Sequence, residues 1–433
     1  MPVLKATGTH VHAFQIVTRY ADSGGFVMPF SGSQERGVCR SARTMLGWPG
    51  MLLLLSFVLM ASLASTRLMA QTVTDTQAQA EAATPHPKGW WPHDGAAPRS
   101  AYVGPQVCAS CHPSEAAACQ ESQMAHAMTP AAQSKLLQSH PHMSYQHGPY
   151  TYRVDLDGDR AVYSMTDGKR MFSIPLLWVY GVGVVGQTFI FRVNGNYFET
   201  EIAYYPTLEG LDIVAGLPRG MPPTAQQAFA VPLEPLAARQ CILCHTTAAV
   251  TDRQLHVESL IPGVTCEACH GPGAKHVAAM RSLGKKQKAG AMFIFNPAQL
   301  NPENLENFCG ACHRTSLHVE EEGLHGLDTV HYEPYRLEMS QCWIISQRIT
   351  CTTCHDPHQR LEPDAVAYDP ACLSCHSSKA TPSGATFAGK TCPVATRNCV
   401  TCHMPQCKLP RAPFRMADHF IRIVGPDDAC AKS

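Results

Sequence analysis

The chain has 433 residues, 45% of them hydrophobic, and its 34 Lys and Arg are balanced by 34 Asp and Glu. That apolar content supports a packed protein, and the absence of a basic excess excludes a nucleic-acid binder, which must neutralise phosphates. The 20 Cys and 22 His are the compositional anomaly, and they set the broad class.

In chain order, residues 1–70 form an N-terminal extension and signal peptide. Arg40 and Arg43 precede the apolar run 51–61, small residues follow, and polar residues begin at Gln71. This is the three-part form of a secretory signal, with cleavage expected near Ala70 and Met45 as the expected start. An uncleaved anchor is the alternative, although the run is shorter than the ~20 residues a spanning helix needs. Export leaves 28 bases and 32 acids in the mature chain, a net charge of −4. Residues 71–100, rich in Gln, Ala, Thr and Pro, read as a flexible leader.

Residues 101–144 hold the first of seven copies of Cys-x-x-Cys-His. The copies are Cys108/Cys111/His112, Cys241/Cys244/His245, Cys266/Cys269/His270, Cys309/Cys312/His313, Cys351/Cys354/His355, Cys372/Cys375/His376 and Cys399/Cys402/His403, numbered motifs 1 to 7 below. Chance alone would give about 0.05 copies at these frequencies. After motif 1, Pro113 and Glu115 give a helix start, and Ala, Gln, Glu and Met favour helix as far as Met128.

Residues 145–215 read as an antiparallel β insert. Asp157-Gly158 and Asp167-Gly168 are turns, and Asn194-Gly195 joins the strands 187–193 and 197–205 in a hairpin. From 216 to 433 lies a six-motif segment ending in an extended wrap. Asn301 and Pro302 start a helix leading into Cys309. With six motifs in so short a stretch, a protein core around each is not affordable, so stacked haems are expected to form much of the core.

The motif is the pattern of covalent c-type haem attachment: two thiols form thioethers and the His supplies the proximal imidazole. Seven covalently bound haem c groups follow, with those fourteen Cys and seven His as the binding residues. Zinc fits poorly, since zinc modules do not require His after every second Cys. A thioredoxin-like redox site would need only one copy.

Thirteen further His lie beyond residue 70, enough to give every iron a second imidazole. Those nearest motifs carry most weight as sixth ligands: His276 after motif 3, His358 after motif 5, then His126 and His419. Met124, Met128, Met404 and Met416 are the alternative ligands. Of the remaining Cys beyond residue 70, Cys342 is expected to pair with Cys392 and Cys407 with Cys430, leaving Cys119.

The stretches around Cys266-Glu-Ala-Cys-His-Gly-Pro-Gly, Cys309-Gly-Ala-Cys-His-Arg, Cys351-Thr-Thr-Cys-His-Asp-Pro-His and Cys399-Val-Thr-Cys-His-Met-Pro resemble the cytochrome c-552/c-554-like multihaem family. The resemblance covers about residues 100–425. It implies a mainly α and irregular multihaem cytochrome fold with stacked haems and a small β insert. It also implies a periplasmic or secreted electron carrier, and distal ligands at His276, His358 and His419, with His126 beside them. Seven motifs exceed the tetrahaem pattern, so donor, acceptor and direction do not carry over.

Three functions follow from the residues. The first is a relay between redox protein partners, with no catalytic residue. The second is a multihaem reductase or oxidase of small nitrogen or sulfur compounds, for which an atypical Cys-x-x-Cys-Lys motif is absent. The third is a subunit of an extracellular filament. Membrane contact is expected only through partners or an uncleaved signal, and the oligomeric state stays open.

Overall fold

The computed structural model describes residues 95–283, 293–377, 390–425, 427, 428 and 430. The signal, the leader to residue 94 and the Met45 start lie outside them. Among the described residues no helix is long and apolar enough to cross a membrane.

The β part is larger than the insert expected at 145–215. It begins with β1 (Met128–Pro130) and continues through β2 (His142–His147), β3 (Tyr150–Asp157), β4 (Arg160–Thr166) and β5 (Met171–Pro175). Then come β6 (Trp178–Tyr180), β7 (Gln187–Val193), β8 (Asn196–Tyr205), β9 (Gly210–Ile213) and β10 (Ala230–Pro232). β2 to β5 form a meander, and β1, β6, β7, β8 and β10 lie in that order in a second antiparallel sheet, with β9 also on β8.

The hairpin signals act as expected. Val193 pairs with Asn196 across Asn194 and Gly195, whose φ angles of 49° and 86° are both positive, as a two-residue turn requires. Strands β1 and β10 carry no comparable alternation. They form because long-range partners capture them, Met128 opposite Tyr180 and Ala230 opposite Thr200.

The main apolar core lies between these sheets, where Tyr152, Val154, Tyr163, Phe189, Phe191, Ile202 and Ile213 are buried. Alternation explains it: Tyr150, Tyr152 and Val154 of β3 face inward while Arg153 faces out. The motif segment has no comparable core. Its buried apolar residues are scattered along the chain, from Ala238 and Ile242 to Leu305, Val330 and Leu337, while Phe293, Ile344, Ile345 and Ile423 are exposed.

Each motif sits on a short helix or at its end. The helices are Pro105–Ala109, Pro235–His245, Cys266–His270, Pro302–His313, Cys351–Cys354, Asp369–His376 and Cys399–His403. The expected start before motif 4 is present, with the Asn301 side chain accepting the Asn304 N–H at 2.8 Å. The helix after motif 1 is shorter than expected, Pro113–Glu121. Ser122 turns to extended backbone, and its hydroxyl donates to Cys119 O at 2.7 Å, ending the helix well before Met128.

Short ladders brace the motif segment. β11 (Thr246–Thr247) pairs with β14 (Ile261–Pro262), and β12 (Val250–Thr251) with β13 (Gln254–Leu255). β15 (Gln406–Lys408) pairs with β16 (Arg415–Ala417). The disulfide Cys407–Cys430 pins this last hairpin. The expected bridge between Cys342 and Cys392 is not formed, and both are free thiols. Cys342 instead lies near the motif thiols Cys354, Cys372 and Cys375, held there by the helix Gln341–Ser346.

Candidate haem centres

A single helical turn brings residues i and i+3 to one face, so each motif presents both thiols together with the following His at the helix end. Buried carboxylates tie these turns to one another. Glu267, within motif 3, accepts N–H bonds from Val103 at 2.9 Å and Gly104 at 2.8 Å, just ahead of the motif 1 helix, and from Gly273 at 2.8 Å. Glu306, three residues before Cys309, accepts the Cys351 N–H at 2.8 Å and so caps the motif 5 helix. Asp369, three residues before Cys372, accepts the N–H groups of Asn398 and Cys399, both at 2.8 Å, capping motif 7. A carboxylate at a helix N-terminus satisfies orphan donors and meets the positive end of the helix dipole.

These acids link motif 1 to 3, 4 to 5 and 6 to 7. Burial pushes Glu306 up to about 7, opposed by its bonds to Cys351. Glu306→Ala leaves the Cys351 N–H without its acceptor, and a loss of about 1–3 kcal/mol is expected in denaturant unfolding. A stability equal to the parent protein would remove the cap from the account.

The thiols of different motifs also meet. Cys266 lies within hydrogen-bonding reach of Cys108 and Cys119, Cys244 of Cys312, Cys309 of Cys351, and Cys372 of Cys399. Cys269 adjoins Cys309, and Cys354 adjoins Cys372. All seven motifs thus form one connected series, with motif 2 as a branch on motif 4.

Not every motif thiol is buried by this arrangement. The second thiols of motifs 1, 5, 6 and 7, Cys111, Cys354, Cys375 and Cys402, are exposed. Cys375 is the clearest case. It stands in the last turn of the helix Asp369–His376, whose one buried residue is Asp369 at the opposite end, so the turn that carries the thiol faces solvent. The Ser374 hydroxyl lies 3.8 Å from its sulfur, and the non-motif Cys342 is its thiol neighbour. Attachment at motif 6 would therefore join one sheltered thiol, Cys372, and one open thiol, Cys375.

The motif imidazoles are oriented through Nδ1. His245 donates Nδ1–H to Ala127 O at 2.9 Å, His270 to Phe295 O at 2.8 Å, His376 to Lys390 O at 2.9 Å and His403 to Arg422 O at 2.8 Å. A carbonyl can only accept, so Nδ1 carries the proton and Nε2 presents a lone pair. That is the tautomer a metal-ligating His needs, fixed by its outer partner. His313 has a carboxylate instead, Glu333, at 3.6 Å. His112 and His355 stand in the same place at the ends of their motifs.

Two expected sixth-ligand His are brought opposite motif imidazoles. The rings of His270 and His358 are parallel to within 2°, with centroids 6.0 Å apart, and those of His355 and His419 are 6.2 Å apart at 46°. Two imidazoles bound to one metal through bonds of about 2 Å have centroids separated by about 6 Å. The donor set therefore fits a six-coordinate haem iron at both places. His276 is half-buried on the helix Ala274–Leu283. His126 directs Nε2 to Gln120 O at 2.9 Å, which occupies that nitrogen.

The strap that carries His419 is held from both sides. Asp418, fully buried, accepts from Arg336 at 2.7 and 2.6 Å and from Arg422 at 2.7 Å. Burial alone would raise its carboxyl, but Arg336 holds it below its usual range. Arg422 in turn donates its N–H to His403 O at 3.2 Å while accepting from His403 Nδ1. One five-residue stretch therefore serves both motif 5 and motif 7.

Several contributors were not read from the sequence. Tyr180 of β6 lies 5.1 Å from the His245 ring, so the second sheet walls motif 2. Gly263, at φ 78°, lets the approach to motif 3 press against the Ala125 carbonyl, where a Cβ would collide. The acids at three residues before Cys309 and Cys372 were a usable signal, since an acid repeats there.

Residues 223–271 match the model for cytochrome c554 and c-prime, and residues 345–381 match that for the doubled CXXCH motif. The multiheme cytochrome MtrA of Shewanella baltica (strain OS185) is 26% identical over 191 residues, covering 39% of this chain and 53% of the relative. The match thus spans about half the length of that curated relative. Among solved structures, the outer cell wall cytochrome OcwA aligns with a TM-score of 0.42 and 14% identity, over 77% of this chain and 83% of that one. Together with its motifs, the sequence matches support a multihaem c-type cytochrome family.

Proposed function

We propose that the chain is an exported heptahaem cytochrome that relays electrons between redox protein partners. When bound, haem c supplies one-electron exchange at iron. The fourteen motif Cys hold it by thioethers and the seven motif His supply one axial imidazole each. His358 completes the site of His270, and His419 that of His355. His276 and His126 are proposed for remaining irons, the latter by exchanging its bond to Gln120.

The observation that carries the reading is the pairing of His270 with His358 at a spacing that suits one iron between them. Filled axial positions favour electron exchange over substrate binding, and the connected motif series offers a continuous route. The exposed Ile344 and Ile345, on the helix that carries Cys342, and the lack of a large apolar cluster in the motif segment are what a chain leaves when bound haems complete its core. Location in the periplasm or outside the cell is proposed from the signal sequence and from the chemistry of thioether formation.

Mass spectrometry of the mature protein tests the count. Seven haem masses should survive extraction with acid and organic solvent, and Cys108→Ala combined with Cys111→Ala should remove one. Retention of six or fewer by the parent protein would reject the heptahaem reading.

A further inference from the structure

The hairpin β15–β16 follows motif 7 directly. It carries Lys408 and Arg415 at paired positions and Arg411 in the loop between, all exposed. Like charges directly opposite on a ladder oppose pairing. No carboxylate among the described residues forms an ion pair with any of the three. From 390 to 425 the chain holds six bases and one acid, Asp418, which is buried and taken by Arg336 and Arg422; in the tail tied to the hairpin by Cys407–Cys430, Asp428 pairs with Arg422 and Asp427 is exposed.

Neighbouring elements add little compensation. The loop touches the β module through Thr207 Oγ1, which donates to Pro413 O at 3.1 Å, and through Arg219, which donates to Arg411 O. Arg219 and Asp212 neutralise each other, leaving Glu209 as the exposed acid of that turn. Motif 7 itself is open here. Cys402 is exposed, and Ile423, 89% exposed, stands one residue beyond Arg422, whose backbone bonds His403 in both directions. Motif 1, at the other end of the series, lies among acids only: residues 105–126 contain Glu115 and Glu121 and no Lys or Arg.

An apolar, exposed attachment site rimmed by unpaired charge of one sign is the anatomy of a transient docking patch, in which charge steers encounter. We propose that the β15–β16 hairpin is the docking edge for a redox protein with an acidic face, so that electrons cross to or from that partner at motif 7. This rests on the relay reading above.

The test uses a plant-type ferredoxin as an acidic one-electron donor. Its reduced [2Fe–2S] cluster is oxidised as one ferric haem is reduced, and no proton moves. Stopped-flow rates are taken on the holoprotein from about 0.01 M to about 1 M salt, where screening becomes nearly complete.

The parent rate should fall at least about tenfold with salt. Lys408→Glu, Arg411→Glu and Arg415→Glu together should lower the low-salt rate by about 10- to 100-fold and flatten the salt dependence. The corresponding triple Gln protein should lie between, with unchanged haem absorption confirming its fold. Dithionite, which needs no docking, should reduce all three proteins fully.

A parent rate indifferent to salt would overturn the docking edge while leaving the relay intact. So would a triple Glu protein with an altered reductive titration and an unaltered salt dependence, which would mean that the bases serve the protein's own haem propionates. Haems that neither reductant can reduce would overturn the relay itself.

Discussion

His358→Ala should keep every covalently bound haem and convert one of them from low-spin to high-spin. The reason is geometric. His358 faces His270 at 6.0 Å and belongs to no Cys-x-x-Cys-His motif, so its loss opens an iron without touching a thioether. Electron paramagnetic resonance should show one new high-spin centre per chain, and added imidazole should close it again. His358→Met should instead stay six-coordinate and raise the potential of one haem, since Met/His ligation disfavours the ferric state. A spectrum identical to the parent in His358→Ala would remove this residue from the ligand set.

Asp418→Ala is expected to be the most destabilising single change outside the motifs. It strands Arg336 in a buried position and takes one of Arg422's two carboxylate partners, the other being Asp428. Breaking such a buried pair from one side costs about 3–5 kcal/mol. Because residues 418–422 also position His419 and His403, the loss should appear at two haems, as a high-spin signal from one and a shifted potential at the other. Asp418→Leu combined with Arg336→Met, which removes charge from both sides, should recover much of the stability. An Asp418→Ala protein that unfolds with the parent would contradict the strap as a support for these two centres.

The parts of the fold governed by short-range chemistry were legible in the sequence. Asn194-Gly195 dictates its hairpin, and Asn301-Pro302 the helix into motif 4, because each turn or cap uses residues adjacent in the chain. The motifs were legible for the same reason. What depends on distant partners was not. β1 and β10 exist through pairing with β6 and β8, which extends the sheets past both ends of the expected 145–215 window.

The same division runs through the candidate sites. His358 and His419 could be singled out beside motif-like sequence, but which imidazole each meets is decided by how the segments pack across the fold. His276 stood ahead of His126 in the sequence, and the structure sets His126 against Gln120 O. The two thiols of motif 6 are equivalent in the motif itself, yet packing shelters Cys372 beside Cys399 and leaves Cys375 open. Of the two expected disulfides, Cys407–Cys430 is formed because β15 and the tail converge. Cys342 is drawn toward motif thiols instead of Cys392. Oxidising chemistry alone specifies that thiols pair, not which ones.

The relay of seven connected haems is tested most directly by an anaerobic reductive titration of the purified, mature protein, counting electrons against the haem absorption bands. The account predicts seven one-electron equivalents per chain, one for each motif, all returned when an external acceptor is added. Uptake of fewer than seven equivalents, or a fraction of haem that accepts electrons and does not return them, would contradict it.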